Sequence, residues 1–143
     1  MAYWAQGQLD LARYSRNDAA MGKTLTGFVA IVDDDSAVRK ALARLLCASA
    51  IEARTFSSGR EFLDSLPFGT PGCLIVDLQM PEMTGLELQL ELARTGARLP
   101  TIVITAHNDV GLRERCLAAG AAAYLLKPLD ERTLITTIGA TVS

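Results

Sequence analysis

Three consecutive aspartates, a fourth aspartate and a lysine stand where apolar runs of this sequence stop, and their types invite chemistry. Asp33-Asp34-Asp35 follows Phe28-Val-Ala-Ile-Val32, Asp77 follows Cys73-Leu-Ile-Val76, Thr105 follows Thr101-Ile-Val-Ile104, and Lys127 follows Ala123-Tyr-Leu-Leu126. Carboxylates gathered at close range repel and raise one another's pKa, so a cluster of Asp33, Asp34 and Asp77 is tolerable around a divalent cation. Magnesium suits such a cage, since it takes oxygen ligands, keeps several waters and shares its coordination with phosphate oxygens. Lys127 would neutralise the acidic pocket and hold a phosphoryl oxygen as a compact cation. The Thr105 hydroxyl has the capacity to hydrogen-bond the same group. Pro128 makes a cis bond after Lys127 inexpensive, and that bond would aim the lysine inward. Plainer readings stand beside these. Asp35, and with it Asp34, suits a helix cap, Lys127 an ordinary ion pair with Asp77, and Thr105 a turn at a strand end.

These residues act together only if the chain brings them together, and the pattern of the elements does so. Five short strand candidates alternate with five amphipathic segments. Asp35-Ser36 caps a helix carrying Val38, Leu42, Leu45 and Leu46 at helical spacing. Ile51 to Thr55 reads as a second strand. Ser58 with Glu61 forms a capping box for a short helix holding Phe62, Leu63 and Leu66, and Thr84 with Glu87 opens another with Leu86, Leu90 and Ala93 on one face. Gly96 and Gly120 stop helices, the second beginning at Asn108-Asp109 and carrying Leu112, Cys116 and Leu117. Asp130 caps a last helix with Leu134, Ile135 and Ile138, weakened by Thr133, Thr136, Thr137 and Gly139. Apolar strands separated by helices predict a parallel sheet buried on both faces. Right-handed crossovers then give an α/β, flavodoxin-like, doubly wound five-stranded sheet of order 2-1-3-4-5 with five helices. Strand C-terminal ends share one edge in such a sheet, so Asp33, Asp34, Asp77, Thr105 and Lys127 meet in one crevice.

The rest of the sequence narrows the function. The length of 143 residues fits one domain, expected over 28–143, behind an N-terminal extension of 1–27 expected to be a flexible or partly helical tail. A net charge of −2 gives no reason to expect nucleic acid or an anionic membrane as partner. Cys47, Cys73 and Cys116 are odd in number and widely spaced, which disfavours disulfides and zinc and fits small buried hydrophobes in a reducing compartment. No secretory leader and no membrane-length apolar run is visible, so a cytoplasmic location is expected. Gly22-Lys23-Thr24 lacks the earlier glycine of a phosphate-binding loop, Asn17 standing there instead. His107 reads as a surface loop residue at the pocket rim, and Met80 and Met83 as packing.

Ile31-Val-Asp-Asp-Asp35, Val76-Asp-Leu-Gln-Met-Pro81 with Gly85, Ile104-Thr-Ala106 and Leu126-Lys-Pro128 together resemble the signature of response-regulator receiver domains, over roughly residues 28–138. The wording around Pro71 to Leu88 and His107 to Leu134 is most similar to receivers of the nitrogen-fixation and nitrate-response type, which usually carry a helix-turn-helix DNA-binding domain. The resemblance implies a two-component phosphorelay. Asp77 would accept a phosphoryl group from a histidine kinase or phosphotransfer protein. Magnesium would be held by Asp34, Asp77 and the Gln79 carbonyl, with Asp33 acting through water. Lys127 would pair with the phosphoryl group, Thr105 would swing toward it, and Tyr124 would move from exposed to buried. Pro81 and Gly85 would shape the loop after Asp77. Such a chain is not an enzyme beyond its own phosphorylation and dephosphorylation. Its downstream protein target or homodimer partner is expected on the face of the fourth helix, fifth strand and fifth helix, with no direct nucleic-acid contact from these residues.

Two rival functions remain. Asp33-Asp34-Asp35 contains the D-x-D spacing of haloacid-dehalogenase-like metal-dependent phosphatases, whose nucleophile would be Asp33, but only Asp109 offers a later acid. A receiver fold that serves purely for interaction and is never phosphorylated is the other, and it leaves the acidic set and Lys127 without a use.

Overall fold

A short apolar run becomes a central strand when helices cover both of its faces, and three of the runs here meet that condition. The computed structural model describes Leu25 and residues 27–142. In chain order the elements are β1 (Val29–Val32), α1 (Ser36–Ala48), β2 (Ala53–Phe56), α2 (Gly59–Ser65), a 3-10 turn (Leu66–Phe68), β3 (Cys73–Asp77), α3 (Gly85–Arg94), β4 (Thr101–Thr105), α4 (Val110–Ala118), β5 (Ala123–Leu126) and α5 (Glu131–Val142). The strands form one sheet of order β2-β1-β3-β4-β5, every neighbouring pair parallel. This is the doubly wound arrangement expected from the sequence.

Alternation of side chains along each strand divides the core in two. Val29 and Ile31 face Leu42, Leu46, Leu134 and Ile138 from α1 and α5. Ala30 and Val32 face the side of Phe62, Leu88, Leu92 and Cys116 from α2, α3 and α4. β1, β3 and β4 are buried throughout, whereas the outer strands β2 and β5 are half-exposed. The β5 rim carries Leu126, 45% exposed, and the β2 rim carries exposed Arg54 and Thr55.

Several local expectations are corrected. The second strand begins at Ala53, not Ile51. Ile51 is buried as a plug that donates its N–H to the Leu46 carbonyl at the end of α1. Leu66 lies past α2, in the 3-10 turn, because Pro67 follows it. The buried face of α3 is Leu86, Leu88, Gln89 and Leu92, while Leu90 and Ala93 are exposed. α5 runs unbroken despite its threonines, since Leu134, Ile135 and Ile138 anchor it to the sheet. Leu25 packs into the core; the remainder of the stretch 1–27 lies outside the described residues apart from Gly27. Among the described residues no helix is long and apolar enough to cross a membrane.

Candidate functional site

Asp33 continues the β1 ladder, its N–H donating to the Phe56 carbonyl at 3.1 Å. Each remaining polar atom of this residue also has a contact. Oδ1 accepts from the Asp35 N–H at 2.9 Å, and the carbonyl accepts from Arg39 Nη1 at 2.7 Å. Oδ2 faces the Lys127 ammonium at 2.9 Å and, among the described residues, has no hydrogen-bond partner beyond that ion pair. Asp35 turns away and caps α1, accepting from the Ala37 and Val38 N–H groups. Asp34 is exposed, and among the described residues its carboxylate has no hydrogen bond or ion pair.

Asp77, the last residue of β3, is 5% exposed and meets Lys127 Nζ through Oδ1 at 3.1 Å. The chain beyond it is tightly held. Leu78 donates to the Ile104 carbonyl, and Gly85 donates to the Leu78 carbonyl, both at 2.8 Å. A reciprocal Thr84–Glu87 capping box opens α3 there. At Gly85 a Cβ atom would lie 2.6 Å from the Asp77 carbonyl oxygen and 3.0 Å from Leu78 Cα, so only glycine permits this approach. Pro81 is exposed and its carbonyl accepts from the Met83 N–H in the turn between Asp77 and α3. Gln79 is exposed on the rim, while Met80 is buried and Met83 packs against Gly59.

β4 and β5 deliver the other expected residues. Thr105 is fully buried, lies opposite Leu126 in register, and accepts the Lys127 N–H on its carbonyl at 2.7 Å. Its hydroxyl accepts from the His107 N–H at 3.2 Å. The half-buried Tyr124 hydroxyl donates to the His107 carbonyl at 3.4 Å. The Lys127–Pro128 bond is cis.

Asp33, Asp34 and Asp77 each place a carboxylate oxygen within 4.8 Å of the others, and Lys127 bridges Asp33 and Asp77. The donors are hard oxygens, one of them unpartnered and one facing only an ammonium, so this set fits a hard divalent cation such as magnesium. Burial pushes the Asp77 carboxyl above its ordinary range, Asp33 adds to that, and Lys127 opposes it. Burial works against the Lys127 ammonium, but Asp33 and Asp77 outweigh it and hold its pKa above the usual lysine value. The dehalogenase-like reading fares worse. Asp35 and Asp109 are both helix caps, the latter accepting from the Leu112 N–H at 3.0 Å.

Arg39 escaped the sequence reading. A cation in the first turn of a helix opposes the helix dipole, and that misplacement was its available signal. A cavity of about 500 Å³ lined by Gln89, Leu92, Gly96, Pro100 and Gly120 lies between the ends of α3 and α4, and it shares no residue with the carboxylate site.

The fold and this cluster define a response-regulator receiver. Residues 29–139 match the family model of the response regulator receiver domain, and the chain belongs to that family. It is 40% identical over 108 residues to the response regulator protein TmoT of Ectopseudomonas mendocina, covering 76% of this chain and 49% of that protein. It is also 40% identical over 117 residues to the transcriptional regulatory protein FixJ of Azorhizobium caulinodans, covering 80% and 54%. The chain thus spans about half the length of the curated relatives it matches. Among solved structures, FixJ-N superposes with a TM-score of 0.76 at 34% identity, covering 82% of this chain and 95% of that one. A response regulator receiver protein from Burkholderia phymatum gives 0.73 at 48% identity with the same coverage. Two-component signalling and the nitrogen-fixation type neighbours both agree with the sequence resemblance.

Proposed function

We propose that this chain accepts a phosphoryl group on Asp77 from the phosphohistidine of a kinase or phosphotransfer protein and passes the change on to a protein partner. The observation that carries this reading is the convergence of Asp33, Asp34 and Asp77 within 4.8 Å, with Lys127 ion-paired to two of them. Phosphoryl transfer asks mainly for positioning and for neutralisation of spreading charge. An Asp77 carboxylate oxygen bonds to phosphorus as the bond between phosphorus and the donor nitrogen breaks. Lys127 takes up part of the incoming negative charge, and the Thr105 hydroxyl turns from the His107 N–H toward a phosphoryl oxygen. Asp34, Asp77 and the Gln79 carbonyl would hold magnesium, with Asp33 behind them. When bound, the ion supplies further neutralisation at the phosphoryl oxygens.

Thr105 and Tyr124 are linked through His107, so a movement of the Thr105 hydroxyl alters the support of the Tyr124 ring. The new charge biases one arrangement of this end of β4 and β5 over another. The face of α4, β5 and α5, with Val110 and Leu126 exposed, is where a partner or second copy would read that change. Incubation with acetyl phosphate and magnesium tests the reading. One added phosphoryl group on the wild type and none on Asp77→Asn, by intact mass, is the expected result. An unlabelled wild type would favour the purely interacting module, and label on Asp33 the phosphatase-like alternative.

A further inference from the structure

Arg39 lies outside the acidic cluster yet holds its backbone, and we infer that it is the positioning residue that aims Asp34 at the divalent cation. The inference rests on the proposed magnesium site. Asp33 is the first residue past the end of β1, so its carbonyl has no partner within the strand pairs of the sheet. A buried carbonyl at such a point must find a donor. The donor is Arg39 Nη1 at 2.7 Å, a charge-assisted bond of the stronger kind. The bond fixes the plane of the Asp33–Asp34 peptide. The Asp35 N–H bond to Asp33 Oδ1 fixes the next turn of chain. Among the described residues the Asp34 carboxylate has no hydrogen bond or ion pair of its own, so its direction follows from these two backbone restraints.

Charge and position predict opposite signs at this residue. A guanidinium beside an acidic cluster repels an incoming cation, so its removal tightens metal binding if charge alone matters. If Arg39 acts by position, its removal loosens binding, because the carboxylate must then be ordered at the cost of binding energy.

The test compares wild type, Arg39→Met and Arg39→Lys by amide NMR. Methionine keeps the apolar stem and loses both donor and charge, and lysine keeps a cationic donor. Magnesium chloride titration should give an affinity weakened about tenfold in Arg39→Met, the loss usual for outer-shell partners of a metal, with partial recovery in Arg39→Lys. In an Asp34→Asn background the Arg39→Met change should cost little more. In metal-free protein, hydrogen exchange at the Asp35 amide should quicken in Arg39→Met while core amides keep their protection. Equal or tighter magnesium binding by Arg39→Met, with unchanged Asp35 exchange, overturns the inference. A wild type that binds no magnesium removes the metal reading itself, and this inference with it. If Arg39→Met does not fold, Arg39→Lys decides by the same two measurements.

Discussion

Replacing Gly85 by alanine probes how closely the site is built against α3. The added Cβ would sit 2.6 Å from the Asp77 carbonyl oxygen, and its other close neighbours, Leu78 Cα at 3.0 Å and the Asp77 carbonyl carbon at 3.2 Å, are backbone atoms. No rotamer change relieves such a contact, so the start of α3 or the end of β3 must move by several tenths of an ångström. Both are pinned, by the Gly85 N–H to the Leu78 carbonyl and the Leu78 N–H to the Ile104 carbonyl. Overpacking of this kind costs about 1–3 kcal/mol. For a domain of this size, the melting temperature should fall by about 4–12 °C. Because Asp77 belongs to the displaced segment, labelling by acetyl phosphate should also slow by about tenfold. Gly111→Ala is the control. Its Cβ would meet only Asp109 Oδ1, at 3.4 Å, so it should leave stability equal or raise it by up to about 1 kcal/mol. Differential scanning fluorimetry and timed intact-mass labelling of both variants give the answer. A Gly85→Ala protein that melts and labels like wild type would refute the reasoning.

Lys127→Met removes the ammonium from two buried carboxylates, so it should destabilise the fold by about 1–3 kcal/mol in metal-free buffer. Millimolar magnesium should raise its melting temperature more than that of wild type, and an equal rise would count against the shared charge site. Asp130 accepts the Thr133 N–H at 2.7 Å and the Thr133 hydroxyl at 2.9 Å, which hold its pKa below the ordinary aspartate value. Its contribution is therefore full above the unfolded aspartate pKa and is lost as pH falls through the lower folded value. The stability gap to Asp130→Ala, measured by urea titration, should be open at neutral pH and close in acid; a gap independent of pH would contradict this. Burial pushes the Cys73 thiol up to about 12, whereas Cys47 is half-buried. Iodoacetamide should therefore modify Cys47 first in the native protein, and peptide mapping that finds early label on Cys73 would disprove the assignment.

The central strands and the crevice could be read from sequence because their signal is redundant. A strand buried on both faces is apolar along nearly all of its length, and a polar residue that ends it is conspicuous, as at Asp33, Asp77 and Thr105. The outer strand β2 lacks that redundancy, and apolar Ile51 beside it has the look of a strand residue although it plugs the end of α1. The face of α3 was ambiguous for a different reason. Leu86, Leu88, Leu90 and Leu92 recur every second residue, which marks no single side of a helix. Contact with the sheet chose Leu88 and Leu92 and left Leu90 in water. In α5, tertiary anchoring outweighed weak intrinsic preference. Arg39 is marked in the sequence only by its place in the first turn of α1; its partner is a carbonyl, which no pattern of side chains names.

The sheet has two rims of opposite character. At β2 the guanidinium of Arg54 lies 4.0 Å over the Phe28 ring and is paired with Glu52, so a strand trying to add there must strip a charge of water and of its partners. β5 presents Tyr124 and Leu126 with no formal charge among its four residues. Growth of the sheet by addition of a foreign strand is thus discouraged on one side only. Crowding or partial unfolding should bring copies together along the Leu126 rim, the same side that a signalling partner would occupy and so shield.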